Sequence, residues 1–233
     1  MKSITVKSND AGQRVDKLLL KTFETLPKSM MFKQIRKKNI KVNKKRCTPE
    51  QILCEGDVID LYLNDDMLVE KKKHYDFLNA PKELSIIYED ENIILLNKKQ
   101  GELCHPDGKE YVNTLIASLK RYLYEKGEWS PEEENSFTPS LANRIDRNTG
   151  GIVIGAKNYQ ALKILNEKIK SREIKKFYLT VACGKFEKHS DILKGYLKKD
   201  ERKNIVKVFD KPIDGAKEIA TKYTVLGYYP DVS

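Results

Sequence analysis

Residues 143–157 read NRIDRNTGGIVIGAK, and the meaning of their first nine positions governs how the chain is built. From Gly150 onward the stretch is a short, β-branched apolar run after turn residues, the length and composition of a buried strand. Just before it stand two arginines, an aspartate and a pair of glycines. In an extended segment alternate side chains share a face, so Arg144 and Asp146 should point one way and Ile145 toward the core. A carboxylate and a guanidinium are then expected in one cleft. The competing account needs no chemistry: Asp146, Asn148 and Gly150 are common turn formers, with Arg144 and Arg147 as solvated charges. On these residues alone the turn is the better reading.

Upstream, LSIIYEDENIILLN (84–97) holds two strand-like runs around the acidic turn EDEN, which predicts a hairpin. Val112 to Lys126 places Leu115, Ile116, Leu119, Tyr122 and Leu123 on one helical face. The acidic, Pro-containing GEWSPEEENSFTP (127–139) is expected to be an exposed loop. Downstream, NYQALKILNEKIKSREI (158–174) predicts a helix capped by Asn158, and KKFYLTVACGKF (175–186) a return to strand. Strands and helices mix without strict βαβ alternation, so residues 84–233 are expected to form an α+β domain with a mixed or antiparallel sheet. Residues 64–83 are polar and aperiodic and are expected to be a linker that lets two units move, with His74 exposed and inert.

Before that linker, Val15, Leu18, Leu19 and Phe23 recur at helical spacing, with Asp10 available as a cap. A second segment offers Phe32, Ile35 and Met31 to a core, and IKVN (40–43) and GDVIDLYL (56–63) predict short strands. Between Pro27 and Arg46 lie nine Lys and Arg and no acidic residue. A solvated face normally mixes signs, so this run points to phosphate contacts. The candidates are Arg36, Lys37, Lys38, Lys41, Lys44, Lys45 and Arg46. The whole chain of 233 residues carries a net charge of +10, which favours a polyanionic partner. It has neither a secretory h-region at its start nor an apolar run of membrane-spanning length, so the protein is expected to be cytoplasmic. Cys47, Cys54, Cys104 and Cys183 form no C-x-x-C pair and are expected to be reduced packing residues, with no metal site.

Residues 10–63, through AGQRVDKLL, SMMFKQIRKKNIKVNKKR and EGDVIDLYL, resemble the alpha-L RNA-binding module named after a small-subunit ribosomal protein. That resemblance implies a small α/β module presenting its basic residues to structured RNA. Most of residues 84–233 resembles the RluA-type pseudouridine synthases. Their R-L-D-x-x-T-x-G motif stands here as Arg144, Ile145, Asp146, Thr149 and Gly151, with SIIYEDENIILLNKKQGELCHPD before it and EIKKFYLTVACGKF after it, in the family's order. Asn97, Lys98, Gly101, His105 and Pro106 match the N-K-P-x-G-x-x-x-H-P block, although Lys99 replaces the proline; His105 is expected to be structural. Asn143 stands where many members have histidine.

The resemblance implies an isomerase that converts uridine to pseudouridine in RNA. The reaction breaks the N-glycosidic bond and rejoins the base through carbon 5, with no net redox change and no added group, so no cofactor is expected. By resemblance Asp146 is the catalytic carboxylate, acting as nucleophile at the anomeric carbon or as a base toward the sugar. Arg144 fills the gap left by the flipped nucleotide, and Tyr178 stacks on the flipped base. Judged by its strand alone, Tyr178 would be a packed aromatic. The expected substrate is structured RNA, large-subunit ribosomal RNA before transfer RNA, and the expected state a monomer. Family members continue to a G-R-T-H-Q-I-R block whose arginine pairs with the catalytic aspartate. This chain stops at Ser233, before that block, and is expected to be a truncated form of a longer protein. The rival expectation is an RNA-binding or ribosome-associated protein that keeps the fold without catalysis.

Overall fold

In the computed structural model, which describes residues 1–200 and 205–229, the first two apolar periodicities become the helices Val15–Thr22 (α1) and Lys28–Arg36 (α2). Each turns its stripe inward, burying Val15, Leu18, Leu19, Met31 and Ile35 in one cluster. Lys2–Thr5 (β1), Ile40–Val42 (β2), Lys45–Arg46 (β3) and Val58–Leu61 (β4) form an antiparallel sheet of order β1-β4-β2-β3. Ile40, Ile59 and Leu61 complete the same core. The sheet extends beyond the expected 10–63 module, because Ile4 pairs opposite Ile59 and draws β1 into the core.

Asp10 does not cap α1. The cap position is Arg14, which makes no side-chain capping bond. Asp10 is instead fully buried, where its carboxylate accepts from Asn135 Nδ2 at 2.6 Å and Ser136 Oγ at 2.8 Å. Residues 127–139 are therefore not the free loop their polarity suggested: Trp129, Pro131 and Phe137 are buried. Asn9 Nδ2 donates to Glu134 Oε1 at 2.6 Å, and the Tyr159 amide donates to Asn9 Oδ1 at 3.1 Å. Segment 64–83 is also tied down, with Glu24 N donating to Val69 O and Lys71 N to Thr22 O, both at 2.9 Å. Leu68, Phe77 and Ala80 are buried in it, although Val69 is exposed, and they hold down a stretch that reads as a mobile linker. Asp10→Ala would remove the acceptor of the Ser136 hydroxyl and one of the two acceptors of Asn135 Nδ2, which keeps Thr5 O at 2.9 Å. We expect a loss of about 2 kcal/mol, seen as a lower urea midpoint with an unchanged slope; an unmoved midpoint would show that water replaces the carboxylate.

The second sheet comprises Ile86–Glu89 (β5), Ile93–Lys98 (β6), Ser140–Leu141 (β7) and Gly151–Ala156 (β8), antiparallel in the order β5-β6-β8-β7. EDEN closes the β5–β6 hairpin because Asp90 Oδ1 accepts from the amides of Asn92 and Ile93, both at 2.7 Å. Leu115–Glu125 (α3) starts where the Thr114 side chain accepts from Ala117 N, and Tyr159–Lys170 (α4) where Asn158 accepts from Ala161 N. Helix α3 buries Leu115, Leu119 and Leu123 with Ile94, Leu96 and Val153 of the sheet. Gly155 permits this approach: a Cβ there would lie 2.7 Å from Ile94 Cγ2 and 2.9 Å from Leu119 Cδ2.

Both sheets belong to one compact unit, Met1–Lys175, and Lys176–Ser233 forms another. The second unit carries Ser190–Asp200 (β9), Ile205–Phe209 (β10) and Lys217–Thr224 (β11) in the antiparallel order β10-β9-β11. The strand expected over 175–186 is not formed. Phe177, Tyr178, Leu179 and Val181 are exposed, and no described backbone pairs with theirs. β-branched and aromatic content favours a strand only where a neighbouring strand supplies the ladder. The architecture is α+β with antiparallel sheets.

Candidate active site

Residues 143–150 enter β8 as an irregular segment whose backbone is fastened to the end of β6. Side-chain alternation along β6 turns Ile94, Leu96 and Lys98 inward. Lys98 is only 1% exposed, and its ammonium donates to the carbonyls of Glu102 at 2.7 Å, Lys99 at 3.0 Å and Arg147 at 3.1 Å. Three oxygens thus replace the hydration shell of a buried charge. The Arg147 carbonyl also accepts from Gly101 N at 2.8 Å, while Arg147 Nε donates back to Gly101 O at 3.0 Å. Gly101 has φ +89°, a conformation L side chains rarely adopt. Gln100 Nε2 donates to Asn148 O at 2.8 Å, and Asn143 Oδ1 accepts from Ile154 N at 2.8 Å. Arg147, expected as a solvated charge, is part of this anchorage.

The loop leaves two charges unused. Ile145 packs on the core while Arg144 and Asp146 on either side of it are exposed. Among the described residues neither the Asp146 carboxylate nor the Arg144 guanidinium has a hydrogen-bond or ion-pair partner, so the two do not pair with each other. The turn that follows is closed by the backbone, Thr149 N donating to Asp146 O at 3.0 Å. The Asp146 side chain takes no part in it. A cleft of about 390 Å³ adjoins the loop, with Arg147, Gln100 and Gly101 in its wall but neither Arg144 nor Asp146. His105 is half-buried, and burial, reinforced by the positive charges of Arg144 and Lys120, pushes its pKa down, which favours a neutral imidazole.

A family model described as RNA pseudouridylate synthase matches residues 92–233, which include this loop, its anchor and the second unit. The chain belongs to the RNA pseudouridylate synthase family. An S4 domain matches residues 13–59. An uncharacterized RNA pseudouridine synthase of Mycoplasma genitalium is 34% identical over 96% of this chain and 68% of its own length. The ribosomal large subunit pseudouridine synthase C of Pasteurella multocida is 30% identical over 86% of this chain and 59% of its own length. That of Haemophilus ducreyi is 29% identical over 98% of this chain and 68% of its own. The chain thus spans between about three-fifths and two-thirds of these relatives' lengths.

The basic residues lie on the surface of the S4 module. Arg36, Lys37, Lys38, Lys44, Lys45 and Arg46 are exposed, and Lys41 Nζ sits 5.2 Å from the centre of the Tyr62 ring. The β2–β3 hairpin turns on Asn43 (φ 50°) and Lys44 (φ 63°), a pair of left-handed residues for which glycine at the second position is the relaxed choice. A lysine held there keeps a charge at the tip at a local conformational cost. Tyr178 is exposed in the second unit, outside any strand. Cys47 and Cys104 fill cores as expected, but Cys54 and Cys183 are exposed thiols rather than packing residues. His74 is exposed. Among the described residues no helix is long and apolar enough to cross a membrane.

The anchoring roles of Lys98, which stands in the N-K block, and of Arg147 are not visible in residue type alone. The period-2 pattern of Ile94 and Leu96 carries the signal for Lys98, since a strand that buries both also buries the position after next.

Proposed function

We propose that the protein isomerises uridine to pseudouridine in structured RNA, with residues 84–233 as the catalytic part and residues 10–63 as the RNA-binding module. The observation that carries this is an exposed carboxylate without a partner, on a loop whose backbone is bolted to β6. The atoms balance within one nucleotide: the bond from C1′ to N1 breaks, C1′ joins C5, the C5 proton leaves and N1 gains a proton. Asp146 starts the reaction, by attack on C1′ or by taking a sugar proton, and either route needs a rigid ionised carboxylate. Arg144, one residue removed across Ile145, occupies the space of the extruded nucleotide, and Tyr178 stacks on its base. Extrusion costs a few kcal/mol, which phosphate contacts offset. The relatives named for the large ribosomal subunit support that RNA as substrate; we further propose that the protein acts on it in the cytoplasm as a monomer.

The test is to map carbodiimide-reactive pseudouridine across all cellular RNA with and without the gene. Loss of a modified position on deletion, restored by complementation, is expected and identifies the uridine. No change anywhere would leave the non-catalytic RNA-binding reading.

For the S4 module we expect Lys37, Lys38, Lys44 and Lys45, all changed to Glu, to weaken RNA binding and flatten its salt dependence without unfolding the chain. Lys44→Gly alone should stabilise the hairpin by a few tenths to about 1 kcal/mol while weakening RNA binding. RNA affinity unaltered across a salt titration would assign the patch to a different partner.

A further inference from the structure

A second cleft, of about 490 Å³, lies between the S4 module and the catalytic part of the Met1–Lys175 unit. Its wall carries Lys21, Lys71, Lys72, Lys73, His74 and Lys120. Two of these are already engaged: Lys73 Nζ is held by the carbonyls of Pro131 and Glu134, and Lys21 donates to Gln13 Oε1 at 2.7 Å. Lys71, Lys72 and Lys120 have no hydrogen bond from the ammonium and no ion pair among the described residues. The same wall holds three carboxylates, none of them ion-paired with these lysines: Glu70 pairs with Lys2 at 2.7 Å, and Glu134 and Glu132 accept from Asn9 and Ser130.

Lys120 is the informative member. It projects from α3 half-buried, and burial lowers its pKa with no carboxylate to counter it. A solvated lysine would avoid that position, and a purely structural one would be paired. Its charge is felt by His105, which also feels Arg144 of the 143–150 loop. The patch on α2 and the β2–β3 hairpin is separate; none of its residues lines the cleft.

We propose that this cleft is a second RNA-backbone site, in which Lys120, Lys71 and Lys72 bind phosphates of the strand that runs on from the flipped nucleotide. The S4 module then contributes twice, through its outer basic patch and through the wall it forms against the catalytic part. The docking network around Asp10 and Asn135 keeps that wall in place. The site rests on the pseudouridine synthase reading for the strand's direction but not for binding itself.

The test measures affinity of the intact protein for a structured RNA transcript against KCl concentration. Lys120→Gln, and separately the pair Lys71→Gln with Lys72→Gln, should weaken binding uniformly across RNA sequences. Each lost contact should flatten the slope of log K against log salt by about 1, roughly fivefold in affinity at 0.15 M salt. Lys120→Arg should restore the slope. A Lys120→Gln protein that binds with the parent slope, or a Lys71/Lys72 pair that does so, overturns the proposal. The Lys71/Lys72 pair is exposed, so it decides the matter even if Lys120→Gln fails to fold. Assaying pseudouridine formation by the protein with Asp146 intact, beside the titration, separates the two readings: no modification with intact slope losses removes the enzyme but keeps the site.

Discussion

Asp146→Asn, introduced at the protein's own locus, is expected to abolish pseudouridine at the target uridine, with turnover down about a thousandfold or more, while protein level, melting temperature and RNA affinity stay unchanged. The amide keeps the shape of the carboxylate and loses its charge and basicity, so neither attack on C1′ nor proton abstraction survives. The structure makes the control clean. Thr149 N closes the turn onto the Asp146 backbone carbonyl, which the substitution does not touch, and no described side chain relies on the carboxylate. Asparagine is also among the best turn residues. A structural Asp146 therefore predicts full modification in the variant, and a catalytic one predicts none. Carbodiimide primer extension at the mapped uridine reads the difference directly.

The second large effect is expected at Lys98, which touches no substrate. Lys98→Met keeps the length and apolar stem but removes the ammonium; Glu102 O then loses its donor, while Arg147 O keeps Gly101 N and Lys99 O keeps Glu102 N. An acceptor left without a donor costs about 1–3 kcal/mol, and we expect a loss in that range. Turnover should fall as well, because the Arg147 carbonyl is adjacent to Asp146 and Lys98 is one of the groups that immobilise it. Lys98→Arg should not rescue, as a planar fork cannot point at three carbonyls converging on one atom. Urea midpoints together with single-turnover rates, taken where the variant is still folded, test both parts. A variant as stable as the parent would mean that the loop is solvated and the anchorage incidental.

Much of the local structure was open to inspection in the residues themselves. Helices α1 to α4, the EDEN hairpin, the cap at Asn158 and the strand after Gly150 follow from spacing and short-range hydrogen bonding, whose partners sit within four residues of each other. The inward turn of Ile145 between Arg144 and Asp146 follows from the same rule. The strand expected at 175–186 failed for the complementary reason: its composition was right, but a ladder needs a second backbone and the described chain supplies none there.

The sequence by itself therefore determined which segments could be helix or strand, the one-signed charge of the S4 module, and the chemistry-bearing residue types around Asp146, because each depends on neighbours along the chain. Tertiary structure decided what those residues do. Asp10 is a docking residue and not a cap because Asn135 and Ser136 reach it from about 125 positions away. Residues 64–83 pack because the chain leaving α1, Thr22 to Glu24, offers them a backbone to pair with. The Asp146 carboxylate is available for chemistry because Lys98, Gly101 and Arg147 hold the loop by its main chain and leave that side chain with nothing else to bind.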